Sequence, residues 1–215
     1  SETHNLANLR MPREKSFAGL REVIAMVHAA PSGRVPVNVS LSACFGCPME
    51  GDVPADEVLR WAGRFADLGV RGLTICDTTG MAQPSQVAAM CEVLQKQFPS
   101  LQLTLHFHNT RGMGLANVLA AVQTGIHRFD GSLGGLGGCP YAPGASGNIC
   151  SEDAIHMLDA MGYDTGINLE RLLPIARHLP EVVGHAVPGQ VAKSGRTSDL
   201  HPAPAYVHEL KKEFS

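Results

Sequence analysis

Two histidines two residues apart, His106 and His108 in "LTLHFHNT", are the first side chains in this sequence that could share a metal ion. On a strand, residues i and i+2 project from the same face, so this spacing sets two imidazoles side by side. The plain alternative is a polar strand end with two hydrogen-bonded histidines. Further on, "GGLGGCPYAPGASGN" (134–148) holds six Gly, two Pro and a single thiol, Cys139, on nearly bare backbone. It ends in Asn148, whose amide offers a carbonyl oxygen. Two imidazoles and an amide oxygen make a mixed N/O set that suits Mg²⁺, Mn²⁺ or Zn²⁺. All three are neutral, so a carboxylate is expected from elsewhere.

Asp77 closes the run "LTICD" just before "TTG". It reads either as a cap of the turn that follows or as a carboxylate facing the same mouth as the histidines. Cys44 and Cys47 in "ACFGCP" form a C-x-x-C without a second pair, and the surrounding pattern is not thioredoxin-like; ordinary loop cysteines are expected there.

The elements that must carry these residues alternate. The segment 16–29 puts Phe17, Leu20, Ile24 and Val27 on one helical face, and "VPVNVSLS" follows as a β-branched strand. Val58, Trp61, Phe65 and Leu68 mark the next helix, closed by Gly69, before the strand "RGLTICD". Val87, Met90, Leu94 and Phe98 precede "LQLTLHFH"; Leu115, Leu119 and Val122 precede "IHRFDGS". Four strands thus start near 35, 72, 102 and 127, which predicts an α/β fold with a parallel sheet covered by helices. Two more helices are expected at 152–161 and 169–179. The tail, rich in Pro, Gly and polar residues, is expected to wrap the surface or to be partly disordered. A TIM (β/α)8 barrel takes eight such units, so four strands read as a partial barrel lacking its N-terminal strands. An open doubly wound sheet would instead show a phosphate-binding glycine loop after its first strand, and none is visible. The expected division is a catalytic barrel domain over 1–180 and a C-terminal tail over 181–215.

Composition narrows the partners. With 44% hydrophobic and 17% charged residues the chain reads as globular, and a net charge of −3 argues against nucleic acid or an anionic membrane surface. No run approaches the length of a membrane span. Six scattered cysteines read as reduced thiols in a cytosol-like compartment.

Taken together, "HFHNTRGMGLAN", "GGLGGCPYAPGASGN", "SACFGCPMEGDV" and "CDTTG" resemble the 3-hydroxy-3-methylglutaryl-CoA lyase family, metal-dependent TIM-barrel enzymes that cleave a carbon–carbon bond. The resemblance runs from about residue 1 to about residue 173, and the cysteine loop is its most specific part. Related Claisen-condensing synthases share an H-x-H strand but lack this loop. The resemblance implies that His106, His108 and Asn148 are metal ligands for Mg²⁺ or Mn²⁺, with Zn²⁺ as the alternative. It implies that Cys139 is the catalytic thiol, that Asp77 lies in the active site, and that Ser42 is a strand-end serine near the bound substrate. Arg111 stands where the family usually has an aromatic residue. The family's first strand carries an Arg-Asp pair that this sequence lacks, which matches the missing strands inferred from the count.

The implied reaction is a retro-Claisen cleavage of a 3-hydroxyacyl-CoA to acetyl-CoA and a keto acid such as acetoacetate. His106 or Asp77 would take the hydroxyl proton, and Cys139 would protonate the enolate, as a thiol can do near neutral pH. The loop is expected to act as a mobile lid tethered at its far end through Asn148. The partner is an acyl-CoA, not nucleic acid or a membrane, and the expected assembly is a homodimer in the cytoplasm. The alternatives are another 3-hydroxyacyl-CoA such as citramalyl-CoA, a condensing synthase, or an inactive fragment.

Overall fold

The computed structural model describes residues 1–31, 35–142 and 144–214. Pro143 of the glycine loop and Ser215 at the end of the tail lie outside the described residues. Helices α1 (Glu2–Leu9) and α2 (Arg13–Ala29) come first, then β1 (Asn38–Leu41), α3 (Ala55–Ala66), β2 (Gly72–Asp77), α4 (Pro84–Gln97), β3 (Gln102–Phe107), α5 (Gly114–Gln123) and β4 (Phe129–Asp130). The four strands form one parallel sheet in the order β1-β2-β3-β4, as the alternating pattern predicts. In-register partners run Leu41 to Ile75, Cys76 to His106, and His106 to Asp130, so every strand delivers its C-terminal end to the same edge. That edge is where parallel βα folds collect their functional groups.

The strands differ in how they are covered. Every residue of β2 is buried, whereas β3 alternates, with Leu103, Leu105 and Phe107 packed in the main core and His106 on the opposite face. Val87, Met90, Cys91 and Leu94 of α4 and Val118, Ala121 and Val122 of α5 supply the helical side of that core. Pro84 opens α4, where its missing N–H would have no helical partner. On α2 the expected apolar face is only half used: Ile24 is buried, but Leu20 is 41% exposed. No strand flanks β1 on its outer side among the described residues, so this helix has less sheet to cover.

The structure adds to or departs from the sequence pattern at three places. The fourth strand is two residues long. The chain opens with α1, which the helical periodicity beginning at 16 did not include. The C-terminal part is more ordered than its composition suggests: after α6 (Ser151–Ala160), α7 (Leu169–Val183) runs past Pro180 and ends at Gly184 in the left-handed conformation. Two further helices follow, α8 (Val191–Ser194) and α9 (Ala205–Glu213). The Asp153 carboxylate of α6 accepts the backbone N–H groups of Gln190 and Val191 and so holds the start of α8 against the body. Among the described residues no helix is long and apolar enough to cross a membrane.

Candidate active site

Asp77 ends β2 and is 1% exposed. Its Oδ1 accepts the backbone N–H groups of Met81 (2.7 Å) and Ala82 (3.1 Å), so the turn-cap reading holds for one oxygen. The other, Oδ2, is buried without a hydrogen-bond partner. Burial pushes the carboxyl up to about 6, even though the two backbone N–H donors and the nearby Arg111 and His106 pull it down. One residue therefore closes a turn with one oxygen and presents an unsatisfied oxygen with the other.

His106 and His108 lie side by side as their spacing predicts, with ring centroids 5.1 Å apart. His106 is the last inward-facing residue of β3, and its Nδ1 is engaged by the Asp130 carboxylate on the neighbouring β4. That contact leaves Nε2 as the nitrogen free to take a ligand. His108 sits just past the end of β3 and pairs in an isolated antiparallel bridge with Asn148, which brings the far end of the glycine loop beside it. His108 is buried, its Nδ1 lacks a partner, and burial holds its pKa down at about 4. A buried imidazole kept neutral has its lone pair available, which is the state a metal ligand needs.

The orientation of Asn148 is set by its donors. Its Nδ2 gives hydrogen bonds to Ser132 Oγ and to the Leu136 carbonyl, both at 2.7 Å, while Oδ1 is buried and unpartnered. Buried polar atoms are rarely left orphaned, so an amide oxygen and an imidazole nitrogen orphaned on bridged residues fit a cation. Among the described residues no group of three His, Cys, Asp or Glu side chains is placed to hold a metal.

The glycine loop is held at both ends rather than only at the far one. At its start, Gly134 N–H donates to both oxygens of the fully buried Glu152. At its end, Ile149 N–H bonds to the Phe107 carbonyl and Asn109 N–H to the Gly147 carbonyl. Two glycines are sterically required. A Cβ on Gly147 (φ +98°) would run into the Gly135 carbonyl, and one on Gly137 (φ +92°) would come within 2.8 Å of Asn148 Nδ2. Cys139 rides on the half-exposed crest, where its Sγ lies 3.7 Å from Nε2 of His4 on α1.

Ser42 follows β1 and is exposed, lining a cavity of about 170 Å³ with His4, Ser40 and Cys44. The turn behind it is tight: Ala43 takes φ +55°, and its N–H bonds to Thr78 Oγ1 at 2.9 Å. Arg111 reaches across to the turn that follows β2 and donates to the Gly80 carbonyl at 2.8 Å. Cys44 and Cys47 are buried free thiols, and burial pushes Cys44 up to about 12, which suits loop packing and not redox chemistry.

Sequence reasoning missed three residues of this region: Asp130, Glu152 and His4. Asp130 had a usable signal, since it ends the strand next to the H-x-H strand, where a carboxylate can orient a ligating imidazole. Glu152 and His4 had none, because their partners lie 18 and 135 residues away.

The HMGL-like family matches residues 1–179. The chain is 44% identical over 197 residues to the hydroxymethylglutaryl-CoA lyase YngG of Bacillus subtilis, covering 90% of this chain and 65% of that protein. It is 45% identical over 158 residues to the (R)-citramalyl-CoA lyase of Chloroflexus aurantiacus, covering 74% of this chain and 50% of that one. Among solved structures, an HMG-CoA lyase from Acinetobacter baumannii in complex with coenzyme A and 3-methylmalate superimposes with a TM-score of 0.88 at 49% identity. That match covers 95% of this chain and 66% of the other. The chain thus spans between half and two thirds of the length of these relatives.

Proposed function

The chain belongs to the HMGL-like family, and from that premise we propose that it acts as a divalent-metal carbon–carbon lyase on a 3-hydroxy-3-methylglutaryl-CoA-like substrate, giving acetyl-CoA and acetoacetate. The observation that carries this reading is that Asp77 Oδ2, His108 Nδ1 and Asn148 Oδ1, near the C-terminal strand edge, are three of six buried, unpartnered side-chain polar atoms among the described residues, the others lying on Thr79, Thr110 and Asn117. Each of the first three belongs to a residue that the family resemblance independently marks.

His106, His108 and Asn148 would hold the ion, Mg²⁺ or Mn²⁺ before Zn²⁺, with the remaining carboxylate ligand coming from outside this set. When bound, such an ion would polarise the substrate's hydroxyl and neighbouring oxygens as a Lewis acid. With Nδ1 held by Asp130 and Nε2 assigned to the ion, His106 has no ring nitrogen left to act as the base. Asp77, with one free oxygen and a pKa raised to about 6, is the better base for the hydroxyl proton. Loss of that proton breaks the carbon–carbon bond to a ketone and an enolate, and the Cys139 thiol delivers a proton to the enolate carbon. Residues 1–180 would form the catalytic unit and 181–215 an appended tail. We also assign to this reading a homodimer in the cytoplasm.

(R)-citramalyl-CoA is the second reading. It is favoured by the Chloroflexus relative and by Arg111, whose guanidinium replaces an aromatic ring beside Asp77 and could take a carboxylate of a different acyl group.

The test is direct. This chain, supplied with Mn²⁺ or Mg²⁺ and 3-hydroxy-3-methylglutaryl-CoA or citramalyl-CoA, is expected to release acetyl-CoA from one of them in a manner abolished by EDTA. No release from either, with Mn²⁺ demonstrably bound, makes the chain an inactive fragment. Condensation of acetyl-CoA with a keto acid makes it a synthase.

A further inference from the structure

We propose that His4 is a positioning residue for the Cys139 thiol, its Nε2–H forming a hydrogen bond to Sγ and stabilising the thiolate left behind when Cys139 gives up its proton. This inference rests on the reading of Cys139 as the reactive thiol.

The pair is formed by two segments 135 residues apart, and it is not an isolated contact. His4 is the buried residue of α1, only 3% exposed, although a histidine is seldom fully buried. Tyr141, two residues past the thiol, packs edge-on against the His4 ring with centroids 5.9 Å apart and planes at 81°. The Tyr141 hydroxyl also donates to the Ala7 carbonyl at 2.8 Å, one helical turn further along α1. The crest of the glycine loop is therefore docked on α1 through three consecutive features: thiol to imidazole, ring to ring, and hydroxyl to backbone.

The chemistry follows from the state of the ring. Burial lowers the pKa of His4, so it stays neutral near pH 7 and can lend one N–H without becoming an acid itself. In the cleavage step the S–H bond breaks as a C–H bond forms on the enolate, leaving a sulfur anion. The Nε2–H of His4 bonds to that anion and keeps its own proton, and the thiolate recovers a proton from water after product leaves. A hydrogen bond to a charged acceptor is worth more than one to a neutral acceptor, so the contact favours the product side of the proton transfer. Other titratable groups near the pair are the Tyr141 phenol and the Arg13–Glu57 ion pair, which lines the same cavity as His4.

Alkylation reads this pairing without metal or substrate. The other five cysteines are buried, so iodoacetamide should label Cys139 selectively in the folded chain, with the modified peptide quantified by mass spectrometry. His4→Phe keeps a ring against Tyr141 but removes the donor; it is expected to slow alkylation at neutral pH about tenfold. His4→Gln restores an N–H and should recover most of the rate, with both variants melting close to the parent. Equal rates in parent and His4→Phe, or identical behaviour of the Phe and Gln variants, would overturn the assignment. If His4→Phe does not melt cooperatively, His4→Ala with added imidazole replaces it: recovered labelling supports the pairing, and no recovery sinks it. A failure here leaves the lyase reading standing, whereas normal alkylation behaviour without metal-dependent cleavage counts against the lyase reading alone.

Discussion

The two ends of the glycine loop and its crest are built on opposite principles. The ends are embedded: Gly134 and Gly147 are buried, Glu152 grips the first, and Asn148 is pinned beside His108 by two acceptors of its amide N–H groups. The crest carrying Cys139 is half exposed and touches α1 through a few polar contacts. A metal site needs ligand atoms fixed within tenths of an ångström, while a proton donor must admit a bulky substrate and then approach it. The difference teaches that, on the proposed reading, one continuous loop would meet both needs, its two feet held by hydrogen bonds to the body and its crest left half exposed.

That comparison can be broken at either end. The largest expected effect is at the crest: Cys139→Ser should lower metal-dependent turnover by about 10²- to 10⁴-fold while Mn²⁺ affinity stays unchanged, measured by product assay and by titration calorimetry. Loss of metal along with activity would mean that crest and feet do not work separately. Next comes Asp77. Its carboxyl is raised from 3.8 to about 6, so the buried charge costs the native state relative to the unfolded chain. That cost is absent below about pH 4, where both states are protonated, and is complete above about pH 6. Asp77→Asn should therefore gain stability relative to the parent as pH rises through this window, by up to about 3 kcal/mol, read from denaturant melts. A pH-independent difference would place Asp77 in a solvated setting.

At the embedded end, Asp130→Asn should weaken Mn²⁺ binding by about 10- to 100-fold, because His106 loses the carboxylate that orients its ring. An unchanged affinity would remove His106 from the ligand set. The smallest effect is expected from Tyr141→Phe, which deletes the bond to the Ala7 carbonyl, worth about 1 kcal/mol. It should raise hydrogen exchange at the crest amides and leave those of 147–150 protected. Exchange rising at both places would show the loop to be one unit.

The legible parts of the fold were those with short-range periodicity. The four βα units could be read because apolar spacing recurs within each helix and strand, and the fourth strand was overestimated because "IHRFDGS" is β-like over more residues than find a partner. His106 with His108 was readable, since a strand dictates that i and i+2 share a face. The tail's Pro and Gly look unstructured locally and leave open whether it packs; Val187, Val191 and Ala192 are buried against the body, which fits a tail that wraps the surface.

What the amino-acid sequence determined by itself was the inventory and its local geometry: a parallel βα alternation, two imidazoles on one strand face, and a loop whose glycines permit backbone that other residues would forbid. Only the tertiary structure decided which oxygen of Asp77 is free, that Asp130 holds His106, and that Cys139 faces His4. Those facts depend on contacts between residues far apart in the chain and on burial, which changes the energy of a charge or an unpaired donor without leaving a trace in local sequence spacing.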